Sequence, residues 1–114
     1  MTTLYGIANC DTIKKARKWL EGRGASYQFH DYKKAGITGD KLQEWSAELG
    51  WEKLLNKGGT TFKKLPDADK QNIDEGKAIM LMLENPSMIK RPVLEHDGMV
   101  HVGFKASEYE ALLD

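Results

Sequence analysis

The residue with the sharpest chemistry in this chain occurs once. Cys10 stands in Ala8-Asn9-Cys10-Asp11-Thr12, between the apolar run Leu4-Tyr5-Gly6-Ile7 and a stretch in which Ile13, Ala16, Trp19 and Leu20 recur at helical spacing. The run suits a strand buried on both faces and the repeat suits a helix, so the thiol falls on the turn joining them. The first N–H groups of a helix have no partner inside it, and the helix dipole adds positive potential at that end. Both favour thiolate over thiol, and the thiolate is the nucleophile. Lys14 and Arg17, about one and two turns on, bring further positive charge. A lone cysteine is most often a small buried hydrophobe. Its neighbours Asn9, Asp11 and Thr12 are hard to bury, however, and they point to an exposed, reactive thiol.

Three other groupings have chemistry-bearing residue types. In Lys90-Arg91-Pro92, a strand that opens with proline beside the first helix would bring Arg91 within reach of Cys10, as an anion clamp or a thiolate partner. The ordinary alternative is a solvated surface arginine. Gly58-Gly59-Thr60-Thr61 followed by Lys63-Lys64 has the backbone freedom, hydroxyls and cations to cradle an anion. It lacks the phosphate-loop spacing and reads equally well as a connector. His96 and His101 flank Asp97-Gly98. A Cys–His pair would activate a nucleophile, but that turn is expected far from Cys10, and both read as surface histidines. Asp11 and Thr12 serve either as helix caps or as hydrogen-bond partners of a bound thiol.

The elements that must position these residues follow from periodicity. After the first helix and the Gly22 and Gly24 stops, Ser26 to Tyr32 alternates aromatic with polar and reads as a strand with Tyr27, Phe29 and Asp31 on one face. Strand, helix, strand with short turns is a right-handed unit with parallel strands. A polar loop from Lys33 leads to a cap at Asp40, then to a helix over 41–49 carrying Leu42, Trp45, Ala47 and Leu49. A short helical piece follows at 51–55, then a loop over 56–66, a polar turn near 67–71 and a helix over 73–83 with Ala78, Ile79, Met82 and Leu83 inward. This section, about 39–85, reads as a helical insertion in a single domain. Residues 91–95, then His96-Asp97-Gly98, then 99–102 read as a hairpin on an Asp-Gly turn, and 105–113 close as a helix with Tyr109, Leu112 and Leu113 inward. The order β-α-β, helical insertion, β-β-α is that of an α/β, thioredoxin-like fold, a four-stranded mixed sheet with helices on both faces.

Composition bounds the function classes. With 114 residues there is room for one core. Lys+Arg and Asp+Glu both total 17, so no global field points to nucleic acid or to an anionic membrane. No apolar run approaches the ~18 residues of a membrane span, and no basic segment followed by an apolar core marks a signal peptide. One cysteine cannot form an internal disulfide, which suits a reducing compartment, and the cytoplasm is the expected location. One Cys and three scattered His match no metal-ligand spacing.

The motifs Tyr5-Gly6-Ile7-x-Asn9-Cys10-Asp11-Thr12-x-Lys14-Lys15-Ala16-Arg17-x-Trp19-Leu20, Tyr27-x-Phe29-His30-Asp31-Tyr32 and Ile89-Lys90-Arg91-Pro92 resemble, in order and along essentially the whole chain, the arsenate reductase-like (ArsC/Spx) family, nearest its YffB-type branch. The resemblance implies a thioredoxin-like fold and a glutathione- or glutaredoxin-coupled reduction at the N-terminal cysteine. Cys10 matches the catalytic cysteine, Arg91 the arginine of the Ile-x-Arg-Pro motif, and Pro92 a cis proline bordering the site. Family arsenate reductases carry an arginine in a Leu-Leu-Arg-Lys segment. Here that stretch is Leu54-Leu55-Asn56-Lys57, with Asn56 in the arginine's place. A further arginine of the last strand falls at Val102 or Gly103. Spx regulators usually carry Cys-x-x-Cys, whereas this chain has Cys10-Asp11-Thr12-Ile13 and no dithiol switch.

The expected function is that of a monothiol oxidoreductase acting through Cys10 and Arg91, with Asn9, Asp11, Thr12, Lys14, Asn56 and Pro92 lining the substrate side. No bound cofactor or metal is expected. Glutathione is the expected co-substrate, a glutaredoxin-type protein the expected partner, and the monomer the expected state, with no direct binding of nucleic acid or membrane. A non-enzymatic adaptor, as Spx relatives bind RNA polymerase, and a true arsenate reductase are the alternatives.

Overall fold

A computed structural model describes residues 1–113. In chain order the elements are β1 (Thr2–Gly6), α1 (Asp11–Gly22), β2 (Gln28–Asp31) and the single turn α2 (Tyr32–Ala35). Then come α3 (Gly39–Leu49), α4 (Trp51–Leu54), α5 (Thr60–Lys63), α6 (Asp67–Lys70) and α7 (Glu75–Glu84), with a 3-10 turn at Pro86–Met88. The hairpin β3 (Val93–His96) and β4 (Met99–Val102) and the helix α8 (Ala106–Leu113) complete the chain. Two compact units result, one made of Met1–Ala35 with Arg91–Asp114 and the other of Gly36–Lys90. The second unit overlaps the stretch, about 39–85, that the sequence reads as a helical insertion.

The first unit holds a four-stranded mixed sheet in the order β2-β1-β3-β4. β1 pairs parallel with β2 and antiparallel with β3, so the chain's first strand is a central one. Side chains alternate across the sheet. Leu4 and its cross-strand partner Leu94 face Ala16 and Leu20 of α1 and Tyr109 of α8 in one buried cluster, with Trp19, Phe29, Leu112 and Leu113 packed at its margin. Tyr5 lies on the opposite face, where the Tyr32 ring of α2 stacks against it at 6.3 Å. The expected Asp97-Gly98 turn is present, with φ of +48° and +84° at the two residues. Those left-handed values are what a two-residue hairpin turn requires.

Gly6 sets how closely α1 approaches the sheet. A Cβ there would run into the side chain of Ile13, which is fully buried. Gly6→Ala is therefore expected to destabilise the protein by about 1–3 kcal/mol, the usual range for overpacking a filled core. A urea melt with a lower midpoint and unchanged slope checks this. An unchanged midpoint would show that Ile13 has room to move.

The second unit is all-helical apart from one isolated antiparallel bridge, Leu55 to Ile89. Around that bridge Asn56 N–H donates to Met88 O and Lys90 N–H to Leu54 O, both at 2.7 Å. Buried Leu42 and Trp45 of α3, Leu54 of α4 and Ala78, Ile79, Leu81 and Met82 of α7 supply apolar surface, and Ser46 Oγ donates to Glu75 at 2.8 Å.

Several local expectations are corrected. The second strand stops at Asp31 rather than Tyr32, because the Asp31 carboxylate accepts the Lys33 N–H at 2.9 Å and turns the chain into α2. The cap of α3 is Thr38, which accepts the Lys41 N–H, and not Asp40. The last long helix of the insertion starts at Glu75 behind the Asp74 cap, not at Ile73. Leu81, not Leu83, completes its buried stripe, since 78, 81 and 82 share a face while Leu83 is 38% exposed. The loop over 56–66 contains the helical turn α5.

Candidate functional site

β1 and β2 are parallel, and ligands of such sheets bind beyond the carboxyl ends of the strands. At that end Gly6 pairs with Asp31. The Ile7–Cys10 turn leaves from β1 and Tyr32 leaves from β2. β3 runs antiparallel to β1, with Val93 opposite Tyr5, so Arg91 and Pro92, just before Val93, enter at the same end. The Gly103 N–H, just after β4, donates to Pro92 O at 2.9 Å. The register therefore gathers Cys10, Tyr32, Arg91 and Pro92 at one edge of the sheet, although they are far apart in sequence.

Cys10 is the N-cap of α1, with extended backbone (φ −141°, ψ 129°), and its side chain makes no capping hydrogen bond. The thiol is free and half-buried. The Cys10 carbonyl accepts the first helical bond from Lys14 N–H at 2.9 Å. Asn9, Asp11, Thr12 and Lys14 are exposed around it. Asp11 occupies the first turn, where the dipole favours a carboxylate. Arg17 is drawn away from the thiol: its Nε donates to Tyr27 Oη at 3.1 Å, and its guanidinium sits 4.3 Å from the Phe29 ring centroid.

Pro92 is buried, and the Arg91-Pro92 peptide is cis. Arg91 is half-buried, and among the described residues its guanidinium has no hydrogen-bond or ion-pair partner. Its positive charge acts on the Tyr32 phenol. That phenol, on a residue 3% exposed, has no hydrogen-bond partner among the described residues. Burial pushes the Tyr32 hydroxyl well above the ordinary tyrosine range, helped by Tyr5 and the Glu95 carboxylate and opposed by Arg91. Glu95 in turn accepts the Tyr5 O–H at 2.7 Å. Tyr32 was not among the expected site residues. The signal was present in its position straight after the strand parallel to β1.

Asn56 belongs to the second unit, in the loop after α4, where its side chain lies against Gly59. Gly58 to Lys64 of the same unit ends in the single turn α5. His96 pairs with Thr2, at the opposite end of β1 from Gly6, and its Nδ1 lies 2.7 Å from Thr2 Oγ1. His101 Nε2 is 3.1 Å from Glu108, and its ring meets Tyr109 edge-on. Both histidines are half-buried and hydrogen-bonded at the surface.

Comparison with known proteins adds a family. The model described as the ArsC family matches residues 5–112. A solved structure named YffB protein is 55% identical, with a TM-score of 0.97, and each chain covers 100% of the other. An uncharacterized protein of Haemophilus influenzae is 40% identical over 97% of both chains. The global transcriptional regulator Spx of Streptococcus mutans is 29% identical over 99% of this chain and 83% of its own.

Proposed function

Since the chain belongs to the ArsC family, we propose that it is a monothiol oxidoreductase whose Cys10 is reduced through glutathione or a glutaredoxin-type protein. The observation that carries this reading is the free, half-buried thiol at the N-cap of α1, with Arg91 and Pro92 at the same end of the sheet. In the proposed cycle the Cys10 thiolate attacks the glutathione sulfur of a mixed disulfide substrate. A Cys10–glutathione disulfide forms, and the substrate leaves as its thiolate. An external thiolate then attacks the glutathione sulfur, which restores the Cys10 thiolate and carries the oxidising equivalent away as a disulfide. The exchange conserves sulfur–sulfur bonds and moves two electrons from external thiol to substrate.

One cysteine suffices, because the resolving sulfur comes from outside. Asn9, Asp11, Thr12 and Lys14 would meet the incoming glutathione from the helix end, and Arg91 would engage one of its carboxylates. Asn56 cannot supply the charged fork that an arginine offers an oxyanion, so arsenate is the poorer substrate in this reading. Thiol exchange of this kind suits the reducing cytoplasm.

Incubation with glutathione disulfide should place a single glutathione on Cys10 by intact and peptide mass, and glutaredoxin with glutathione should turn the adduct over repeatedly. An adduct that never forms, or that no thiol resolves, would sink the proposal. The relative named as a global transcriptional regulator favours a second reading, an adaptor that binds a protein partner. In that case replacing Cys10 would leave partner binding untouched.

A further inference from the structure

Among the described residues, two donors at the thiol's end of the sheet lack a partner. The Tyr32 hydroxyl is one, although buried polar groups are nearly always hydrogen-bonded. The half-buried Arg91 guanidinium, with five N–H donors, is the other. A second buried tyrosine shows what is particular about the first. Tyr109 also has an unpartnered hydroxyl, but it lies in the apolar cluster between α1, α8 and the sheet, and burial alone raises its hydroxyl. Tyr32 follows the residue paired with Gly6 and lies in the field of Arg91.

We propose that Tyr32 is a further ligand-binding residue, whose phenol O–H donates to the anionic group, a carboxylate or an inorganic oxyanion, that Arg91 engages beside Cys10. This rests on Cys10 as the reacting thiol. A neutral O–H donor next to a guanidinium is what a carboxylate or oxyanion calls for, because hydrogen bonds to a charged acceptor are the strong ones. The surroundings keep Tyr32 in that donor form. Burial, Tyr5 and Glu95 all hold its proton on, while the Glu95 carboxylate is itself engaged by the Tyr5 O–H. The ligand thus meets one cation and one neutral donor, and the phenol gains the partner it lacks.

Tyr32→Phe removes only an oxygen that has no hydrogen-bond partner among the described residues, so its unfolding midpoint should equal or exceed that of the wild type. Its rate of adduct formation with glutathione disulfide should nonetheless fall by about ten- to a hundredfold, the range for a lost hydrogen bond to a charged group. With bis(2-hydroxyethyl) disulfide, which has no carboxylate, the rate should be unchanged. Tyr109→Phe should leave both rates unchanged. An unaltered rate of Tyr32→Phe on glutathione disulfide together with unaltered arsenate binding, or an equal loss on both disulfides, overturns the proposal. Arsenate affinity by calorimetry separates the two anion sources: weaker binding to Tyr32→Phe assigns the site to an oxyanion, and loss on glutathione disulfide alone assigns it to a carboxylate. If wild-type Cys10 reacts with neither disulfide, the reductase reading falls. Tyr32 then stands or falls on arsenate, and no arsenate binding, or equal binding by both proteins, refutes it.

Discussion

Cys10→Ser is expected to lower thiol exchange by at least about a thousandfold, in line with removal of an enzyme's nucleophile, while the protein stays folded. The chain has no second thiol to take over. Stability should hold or rise, and the reason lies in the helix end. Cys10 occupies an N-cap with the extended backbone that capping requires, yet its side chain accepts no hydrogen bond there. Serine is among the best residues at such a position, worth about 0.5–2 kcal/mol over a non-capping side chain. The helix therefore gives up capping at the position where the thiol stands. Intact mass after glutathione disulfide, coupled turnover with glutaredoxin and a denaturant melt read the two effects separately. Turnover within tenfold of wild type would show that Cys10 is not the reacting group.

The second large effect is expected at Arg91. Arg91→Ala should weaken glutathione adduct formation by about ten- to a hundredfold, since it removes a charge-assisted contact worth about 1.5–3 kcal/mol. Arg91→Lys should recover only part of this, because an ammonium restores the charge but not the paired N–H geometry. Lys90 is the control. It is exposed, and it is held through its backbone N–H to Leu54 O, which alanine retains. Adduct rates for the three variants decide the matter. If Arg91→Ala and Lys90→Ala behave alike, Arg91 lies outside the site.

Much of this architecture was legible from residue spacing. The apolar run before Cys10, the helical repeat after it and the Asp97-Gly98 turn each reflect a local rule, and each falls where those rules put it. What escaped was non-local or ambiguous in type. Asp31 ends β2 through a side-chain bond to the Lys33 N–H, a contact that alternating aromatics do not announce. Thr38 and Asp40 are both good caps, and only the backbone shows that Thr38 is used. Leu81 and Leu83 have the same hydropathy, and packing of α7 against its own unit separates them. Tyr32 was hidden for a different reason. Its sequence neighbours, Asp31 and Lys33, are charged, and its place at this end of the sheet comes from strand pairing that joins residue 6 to residue 31.

The same pairing fixes when the site can exist. Thr2 is hydrogen-bonded in register to His96, and Tyr5 lies opposite Val93. As the polypeptide leaves the ribosome, its first strand emerges long before the strand that must lie along its other side. Until then β1 has only β2 beside it, and its second edge presents open N–H and C=O groups. Arg91 and Pro92 are synthesised with that late strand, so a nascent chain carries Cys10 before the residues that join it at this end of the sheet. Contacts this distant are slow to close and raise the contact order of the fold. The grouping of Cys10 with Arg91 and Pro92 at one end of the sheet thus exists only once β3 has docked against β1.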